Sequence, residues 1–489
     1  MVEAAFRAAR RRWSAALVLL PVLFATACAA SDAAVVRAGD VVATAAGSVR
    51  GTGAPDHRLF QGIPYAAAPV GERRWQPPAP VPPWPGERDA TRPGPRCPQS
   101  GAVTSEDCLY LNVWTPPAGA TGRPVLVWLH GGAFVTGGGD RYGARRLVGR
   151  GDEVVVTLNY RLGALGFLAD PALGKEPGNY GFLDQQQALL WVRDNIAAFG
   201  GDPKQVTIAG ESAGGMSVCD HLVAPGSRGL FRAAIVQSGP CQAQTTLADA
   251  QRKSVTYAAA RGCTDRATAA ACLRALPVAK LLEAPTYVSL ARIEMPGPVT
   301  GGSVLPKGGP TAPVPVLIGT THDEFTYFLA QQTATGQEIT RHGYPAALGR
   351  VFPNATAVAR EYPVDAFSGN ASLAYAAAVT DSSFSCPAAR MAASLPSAST
   401  YEFADPTAVT WPAPFPLGAT HTAELPYLFD FDGKPASFTE KQQRLADRMV
   451  DDWTSFVRGR PAASATAYRP DGAHPLTGFT QDHHCGFWS

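Results

Sequence analysis

The chain has 489 residues, of which 46% are hydrophobic, and a formal net charge of +2. A chain of this size can bury a large core, and one large α/β domain explains it at least as well as two ordinary domains. Because four arginines lie in the first 12 residues, the rest of the chain is close to neutral. This balance gives no reason to expect a nucleic-acid partner or an anionic membrane surface.

The first 28 residues have the pattern of an export signal. An arginine cluster precedes the apolar run SAALVLLPVLFATA, which is too short to span a membrane, and small residues follow it. We predict a signal peptide over 1–28 and a single folded domain over 29–489, secreted or held at the cell surface. Cys28 ends a loose lipobox and would carry a lipid anchor. Cleavage after Ala27 or Ala29 and twin-arginine export are open alternatives.

The remaining cysteines predict disulfides. Nine cysteines become eight when Cys28 is set aside, an even number that suits an oxidising compartment, and their spacing shows no metal pattern. The alternative for each is a buried free thiol. Two bridges are predicted because their cysteines are close in sequence, Cys97–Cys108 and Cys263–Cys272. The other two follow by elimination, Cys219–Cys241 and Cys386–Cys485.

Apolar runs bounded by glycine and proline predict strands that alternate with helices. Residues 41–80 predict short antiparallel strands, and the proline-rich segment 77–98 predicts a loop. Helices are predicted over 184–199 and 439–458. Further strands are predicted within 109–116, 123–130, 153–168, 205–209, 232–239, 314–324 and 400–405. This alternation predicts an α/β fold with a large, mostly parallel central sheet and helices on both faces.

The stretch GESAGG, residues 210–215, directly follows the predicted strand QVTIA and precedes helix-forming residues. A strand, a tight glycine-flanked turn and a helix are the context of a nucleophile elbow. The G-x-S-x-G pattern alone is weak, because a long glycine-rich chain produces it by chance. A serine hydroxyl is also a poor nucleophile until a base takes its proton, so Ser212 needs a histidine and a carboxylate elsewhere in the chain.

On a parallel sheet these partners should follow later strands, in the order serine, acid, histidine. Glu324 follows the predicted strand VPVLIG at its carboxyl end. His421 lies in a loop of small residues ahead of an apolar segment. The pattern alone leaves both choices open, since any loop carboxylate or histidine can simply be solvated. The other candidate bases lie in polar or terminal stretches: His322, His342, His474, His483 and His484.

Seven blocks in order give the chain a specific resemblance that runs from about residue 40 to the C-terminus. They resemble the type B carboxylesterase family, relatives of cholinesterases and fungal lipases, and we expect a secreted bacterial member. The blocks are GIPYAAAPVGERRWQPP (62–78), SEDCLYLNVW (105–114), HGGAF (130–134), NYRLGALGFL (159–168), GNYGFLDQQQALLWVRDNI (178–196), FGGDP (199–203) and GESAGG (210–215).

The resemblance implies an α/β-hydrolase fold and assigns roles. Ser212 matches the nucleophile, Glu324 the acid and His421 the base. The oxyanion hole matches the backbone amides of Gly131, Gly132 and Ala213, and losing one such donor typically lowers the rate by about 10²–10³. Two ion pairs are expected to be scaffold: Arg74 with Glu106, and Arg161 with Asp184.

Three features depart from the family pattern or bear on the site. Phe325 replaces the glycine that normally follows the acid, which could alter the loop that holds Glu324. Glu211, beside the nucleophile, either favours the imidazolium or is a locally bonded turn residue. Residues 98–107 contain no aromatic side chain, so neither the choline site of cholinesterases nor the long lid of the related lipases is expected.

The sequence therefore predicts a serine carboxylesterase that acts on short to medium esters of an apolar or aromatic alcohol. We expect a small-molecule ester as its partner, a monomeric state, and no metal or cofactor. The rivals are a catalytically silent adhesion or binding module on the same fold, or a lipase or thioesterase. All three residues of the expected triad are present, which argues against the silent module.

Overall fold

A computed structural model of the chain describes residues 40–489, except 102, 292, 309, 409–411 and 461–464. The predicted signal peptide and Cys28 lie outside these residues.

The described strands are short at the N-terminal edge and longer in the centre. In chain order they are β1 (Val41–Ala43), β2 (Ser48–Arg50), β3 (Thr52–Gly53), β4 (Arg58–Pro64), β5 (Glu87–Asp89), β6 (Tyr110–Thr115), β7 (Arg123–Leu129), β8 (Tyr142–Gly143), β9 (Val154–Leu158), β10 (Gly201–Glu211), β11 (Ala233–Gln237), β12 (Thr245–Thr246), β13 (Val288–Leu290), β14 (Ile293–Met295), β15 (Val299–Thr300), β16 (Val316–Thr321), β17 (Ala398–Phe403), β18 (Asp430–Phe431), β19 (Ala465–Arg469) and β20 (Gly472–Pro475).

The α-helices are α1 (Arg145–Gly151), α2 (Gly163–Phe167), α3 (Tyr180–Asn195), α4 (Ala213–Val223), α5 (Leu247–Ala259), α6 (Ala269–Ala275), α7 (Thr326–Ala334), α8 (Tyr344–Gly349), α9 (Ala355–Glu361), α10 (Ala371–Thr380), α11 (Cys386–Ser394), α12 (Leu425–Leu428), α13 (Glu440–Val457) and α14 (Phe479–Asp482). A π-helical turn, Asp381–Ser385, joins α10 to α11. Short 3₁₀ turns cover Gly71–Arg73, Gly139–Arg141, Pro171–Leu173, Ile196–Phe199, Pro225–Ser227, Val278–Lys280 and Val364–Phe367.

Eleven of the described strands form one sheet in the order β20-β19-β17-β16-β11-β10-β7-β9-β6-β4-β3. From β19 to β9 all neighbours are parallel, whereas β20 at one edge and β6, β4 and β3 at the other pair antiparallel. This is the predicted α/β-hydrolase sheet. The outermost pairs, β3–β4 and β19–β20, are hairpins of consecutive strands, which need no crossover helix.

Side-chain alternation along the central strands places apolar residues on both faces of the sheet. In β7, Leu126 and Trp128 belong to the hydrophobic cluster that includes Trp453 of α13. Val125, Val127 and Leu129 belong to a larger cluster on the other face. Since each central strand is covered on both sides, its sequence is a continuous apolar run, as predicted for a parallel sheet.

Helix α13 forms where its sequence predicts. Thr439 caps the helix in a reciprocal capping box with Gln442, and the last helical residue, Val457, lies one position before the predicted end. The predicted inward stripe is fully buried, at Leu445, Met449, Trp453 and Phe456.

Several other predicted boundaries are wrong, and two of them have a clear physical cause. Helix α3 begins at Tyr180 rather than at residue 184, because it is buried on almost every side and therefore lacks an amphipathic start signal. The proline-rich segment 77–98 contains strand β5, which lies in its proline-free stretch 86–92 and pairs parallel to β2 through Ser48 and Glu87.

The eight cysteines of the described residues form the bridges Cys97–Cys108, Cys219–Cys241, Cys263–Cys272 and Cys386–Cys485. Four disulfides fit an oxidising, extracytoplasmic compartment. None of the helices in the described part of the chain is long and apolar enough to cross a membrane. Both expected scaffold ion pairs are present, with Arg74 2.6 Å from Glu106 and Arg161 2.8 Å from Asp184.

Candidate active site

Ser212 occupies a strained corner between β10 and α4. Its backbone has φ +56° and ψ −121°, a conformation that a non-glycine residue rarely adopts. The amide of Ser212 donates to the carbonyl of Gln237 on the neighbouring strand, at 2.9 Å. Gly214 is required beside it, because a Cβ there would lie 2.0 Å from the carbonyl oxygen of Leu129. The strand, sharp turn and helix form the predicted elbow.

Glu324 and His421 meet in a buried pair. The Nδ1 of His421 lies 2.5 Å from Oε2 of Glu324. The other carboxylate oxygen of Glu324 accepts the backbone N–H of Thr321 at 2.9 Å, which fixes the carboxylate. His421 Nε2 lies 3.1 Å from Oε1 of Glu211. Ser212, Glu211 and His421 line the same cavity, and Glu324 is paired with His421. The structure therefore brings the side chains of Ser212, Glu324 and His421 together.

The loops that carry Glu324 and His421 are joined by Asp323. The amide of Asp323 donates to the carbonyl of Ala419 at 2.9 Å, and its carboxylate accepts the amide of Ala419, also at 2.9 Å. Asp323 also forms a β-bridge with Thr420. Because the Asp323 carboxylate is engaged in this way, Glu324 is the acid of this loop that faces His421.

Phe325 leaves the geometry of the acid loop intact. Its backbone is in the right-handed helical region, with φ −81° and ψ −10°, so the position does not require the glycine that the family normally has. The amide of Phe325 donates to the hydroxyl of Thr380, and the side chain is fully buried. The ring packs beside Phe328 and Tyr375, at centroid distances of 5.5 and 6.0 Å.

Buried charges raise the basicity of His421. Burial lowers the pKa of this imidazole, but the negative charges of Glu211 and Glu324 outweigh it and raise the pKa to about 9. Burial also raises the pKa of Glu211, whereas the positive charge of His421 lowers it. Each of the two groups therefore favours the ionised form of the other.

Sequence reasoning missed a further carboxylate, Glu424, three residues after His421. Its side chain is fully buried, and burial, followed by the charge of Glu324, raises its pKa to about 7. Gln237 donates to Glu424 at 3.0 Å and accepts the indole N–H of Trp453 at 2.9 Å. The spacing H-x-x-E was the available sequence signal for Glu424. Its partner Gln237 could not be predicted, because it lies on a strand that is distant in sequence.

Backbone amides beside Ser212 form a candidate anion site. Gly131 and Gly132 follow β7, and Ala213 is the first residue of α4. Within the described residues, the amides of Gly132 and Ala213 donate to no protein acceptor, and both residues line the cavity, whereas Gly131 does not line it. Gly131 lies so close to the elbow that a Cβ on it would be 2.8 Å from the Glu211 carbonyl and 3.1 Å from the Ser212 Cβ. The predicted oxyanion-hole residues are therefore adjacent to Ser212.

The cavity in front of Ser212 has a volume of about 260 Å³ and largely apolar walls. Phe328 of α7 and Phe384 of the π-helical turn contact the His421 ring, at centroid distances of 4.8 and 5.6 Å. Leu290 and Ile293 come from the β13–β14 hairpin on the other side. These wall residues could not be found from motifs, because they lie far in sequence from the seven blocks that carry the family resemblance. They meet only in the fold.

The Cys219–Cys241 disulfide lies next to this cavity. It joins α4 to the loop after β11, in which Pro240 lines the cavity. The same loop is held to the π-helical turn, because Gln242 donates to the carbonyl of Ser383 at 2.8 Å. The disulfide thus joins one wall of the cavity to helix α4, which directly follows Ser212.

The other histidines considered as bases do not line the cavity: His322, His342, His474, His483 and His484. His474 pairs with Asp471, and His484 with Glu361. Among the residues that the structure describes, the one group of three side chains placed to hold a metal ion lies outside the cavity, at His322, Glu402 and His483.

Comparison with known proteins agrees with this geometry. Residues 38–476 match the carboxylesterase family. The chain is 35% identical to para-nitrobenzyl esterase of Bacillus subtilis (strain 168), over 87% of this chain and 91% of that protein. It is 35% identical to acylcarnitine hydrolase of Rattus norvegicus, over 86% and 82% of the two chains. It is 32% identical to cholinesterase of Mus musculus, over 86% and 79%. The chain therefore belongs to the carboxylesterase family and is a carboxylic ester hydrolase.

Proposed function

We propose that this hydrolase is a serine carboxylesterase that cleaves short to medium carboxylic esters through an acyl-enzyme on Ser212. The observation that carries the proposal is the placement of His421. One ring nitrogen is bonded to Glu324, and the ring lies at the cavity whose floor holds Ser212 on its strained corner. A fixed tautomer, a nearby hydroxyl and an enclosed space are what nucleophilic catalysis by serine needs.

In the proposed reaction, His421 takes the proton of the Ser212 hydroxyl as the oxygen attacks the ester carbonyl. The amides of Gly131, Gly132 and Ala213 stabilise the resulting oxyanion. The tetrahedral intermediate collapses, and the alcohol leaves with the proton that His421 returns. Water then attacks the acyl-enzyme by the same route, which releases the carboxylic acid and restores the serine.

Glu324 holds the His421 ring and stabilises its cation during each half-reaction. The carboxylate of Glu211 adds negative charge on the other side of the ring, so both carboxylates favour the imidazolium that forms as the serine is deprotonated. Glu211 is therefore assigned a positioning and electrostatic role.

The cavity favours small, uncharged substrates. A volume of about 260 Å³ accommodates a short or medium acyl chain with a compact alcohol, and the walls are mainly apolar. Glu211 is the acidic residue of the lining, and it already faces His421. The relative named para-nitrobenzyl esterase supports an aromatic alcohol. Residues 98–107 provide no aromatic face for a quaternary ammonium group.

We assign the export signal to residues 1–28, with cleavage before Cys28 and a lipid anchor on that residue, and one monomeric catalytic domain to residues 29–489. Four disulfides support an oxidising destination. Mass spectrometry of the mature N-terminus tests the anchor. A diacylated Cys28 supports it, and an unmodified start at residue 29 or later removes it.

The proposed activity is tested with p-nitrophenyl esters from acetyl to palmitoyl, together with a phosphonate that labels active serines. We expect turnover biased to short chains and one phosphonate bound per chain. Ser212→Ala should lose both. Ser238→Ala is the matched control, because Ser238 is also a serine with positive φ, at +50°, after the neighbouring strand β11, but it is buried and does not line the cavity.

A folded wild-type chain that neither turns over esters nor binds the phosphonate would overturn the mechanism and favour the silent binding module. Turnover biased to palmitoyl esters would favour a lipase. Preferred cleavage of acyl thioesters over matched oxygen esters would favour a thioesterase.

A further inference from the structure

A second cluster of ionisable side chains, buried except for His322, lies outside the cavity. His483 is bonded on both ring nitrogens, with Nδ1 2.5 Å from Oδ1 of Asp381 and Nε2 2.7 Å from Oε1 of Glu402. The same Glu402 oxygen is 3.0 Å from Nδ1 of His322. The proposed esterase reaction uses none of these four groups.

Separate parts of the fold bring this cluster together. His322 follows β16, and Glu402 lies on β17, its parallel neighbour. His483 follows α14 near the C-terminus, and Asp381 begins the π-helical turn. The disulfide Cys386–Cys485 fixes the C-terminal segment close to His483. Strand pairing and a covalent bond therefore hold the cluster in place.

We propose that His322, Glu402 and His483 form a binding site for a divalent transition-metal ion, with zinc as the preferred ion. Two imidazole nitrogens and a carboxylate oxygen are a ligand set that zinc favours. The site is distinct from the esterase centre and does not depend on the proposed esterase mechanism.

The distances suit a site that needs only small shifts of its ligands to hold the ion. Ligands with bonds of about 2.0–2.1 Å at a tetrahedral centre lie roughly 3.3 Å from one another. The two His–Glu separations are 2.7 and 3.0 Å, and all three ligand atoms lie within 4.8 Å of one another. The His322 side chain is 45% exposed, so it is free to rotate inward and to admit the ion. Water would complete the coordination.

The groups behind His483 match the surroundings of metal-binding histidines. Such a histidine usually gives its second ring N–H to a carboxylate, which fixes the tautomer and directs the other nitrogen to the metal. Here Asp381 accepts from Nδ1 of His483, which leaves Nε2 directed at Glu402. Asp381 is itself held by the Tyr362 hydroxyl at 2.8 Å, and Trp488 donates to that hydroxyl at 2.7 Å.

The competing arrangement is an ion-pair network without metal, in which protons alone hold the two histidines to the carboxylates. The two arrangements differ in their response to an added ion. Equilibrium dialysis of the purified full chain against Zn²⁺ measures stoichiometry and affinity. Co²⁺ reports the ligand geometry through its visible absorption.

We expect one Zn²⁺ per chain, the visible bands of four-coordinate Co²⁺, and a rise in melting temperature with added Zn²⁺. His322→Ala and Glu402→Gln should each weaken Zn²⁺ binding at least about tenfold and abolish the Co²⁺ bands. His322→Ala keeps the test decisive if Glu402→Gln fails to fold, because the His322 side chain is half exposed.

The matched control is His474→Ala. The His474 side chain is 41% exposed, close to the 45% of His322, and it also contacts one carboxylate, that of Asp471. This variant should bind as wild type does. Absence of Zn²⁺ binding by the wild-type chain, or binding that His322→Ala leaves unchanged, would overturn the metal site and establish the ion-pair network.

Discussion

Two buried histidines of this protein have nearly the same immediate surroundings. In His421 and in His483, Nδ1 lies 2.5 Å from one carboxylate, and Nε2 lies 3.1 or 2.7 Å from a second. The carboxylates are Glu324 and Glu211 for His421, and Asp381 and Glu402 for His483.

What differs is the hydrogen bonding of Nε2 and the space in front of the two rings. His483 Nε2 is bonded to Glu402, whereas His421 Nε2 has no hydrogen-bond partner among the described residues. His421 opens on a cavity with a strained serine, and amides without a protein acceptor in the described chain lie beside that serine. His483 faces a second histidine, with its ring 5.2 Å from that of His322. A histidine between carboxylates is therefore not by itself a catalytic signature. The neighbouring nucleophile and the preorganised donors make the difference.

The largest expected effect comes from replacing each histidine with glutamine. His421→Gln should lower kcat for p-nitrophenyl acetate by about 10⁴-fold or more, because the serine loses its base. His483→Gln should leave kcat within about threefold of wild type, since its ring does not line the cavity. Initial rates of the two folded variants decide the comparison. An equal loss of activity in both would contradict the division between the two clusters.

The second-largest expected effect is on the free energy of unfolding. His483→Gln should lower the free energy of unfolding by about 3–5 kcal/mol, because removing one partner leaves the buried carboxylates of Asp381 and Glu402 without their cation. Urea unfolding without added metal measures it, with His474→Ala as the exposed control. A change below about 1 kcal/mol would show that the network does not hold the C-terminal segment.

A smaller loss is expected at the tyrosine behind the second cluster. Tyr362→Phe removes the hydroxyl that donates to Asp381 and should lower the free energy of unfolding by about 2 kcal/mol. Ester hydrolysis should be unchanged. Tyr344→Phe is the control, because its hydroxyl donates to a neutral backbone carbonyl, that of Tyr362.

The smallest expected effect tests the electrostatic role of Glu211, the second carboxylate beside His421. Because the pKa of His421 is raised to about 9, kcat/KM should increase as the pH rises through this value and the free base appears. Glu211→Gln removes one of the negative charges that raise this pKa, so the midpoint should move to lower pH by about one unit, or 1.4 kcal/mol. An unchanged midpoint would contradict the electrostatic role of Glu211.

The same shift has a consequence for stability. A folded-state pKa above the unfolded value means that the protonated His421 stabilises the fold. This contribution is fully present below an unfolded pKa of about 6.5 and is lost as the pH rises through about 9. Unfolding measured across this range should show a decline in wild type that is smaller in Glu211→Gln.

Local sequence patterns predicted those elements whose structure is determined by interactions between neighbouring residues. The apolar run of β7, the capped and striped helix α13 and the glycine-flanked Ser212 follow from neighbouring residues. Glu324 and His421 were candidates by pattern and became specific through the family resemblance. Whether they touch depends on a contact between residues 97 positions apart.

Other features were not predicted from the sequence, because the residues that determine them are distant from one another in the chain. The start of α3 is stabilised by tertiary burial rather than by a cap. Gln237 acquires its role only when Glu424 and Trp453 pack around it. His322 and His483 were considered singly as bases, and only the fold shows that they share Glu402.

The link between Asp323 and Ala419, 96 positions apart, bears on how new substrate preferences can arise in this chain. The segment from α7 to α11 leaves the sheet at β16 and returns at the adjacent strand β17, and it carries Phe328 and Phe384. Because Asp323 joins the acid and base loops outside this excursion, substitutions of the cavity-lining side chains on these helices can reshape the cavity while the Glu324–His421 pair stays in place. Directed evolution of this enzyme is best concentrated there.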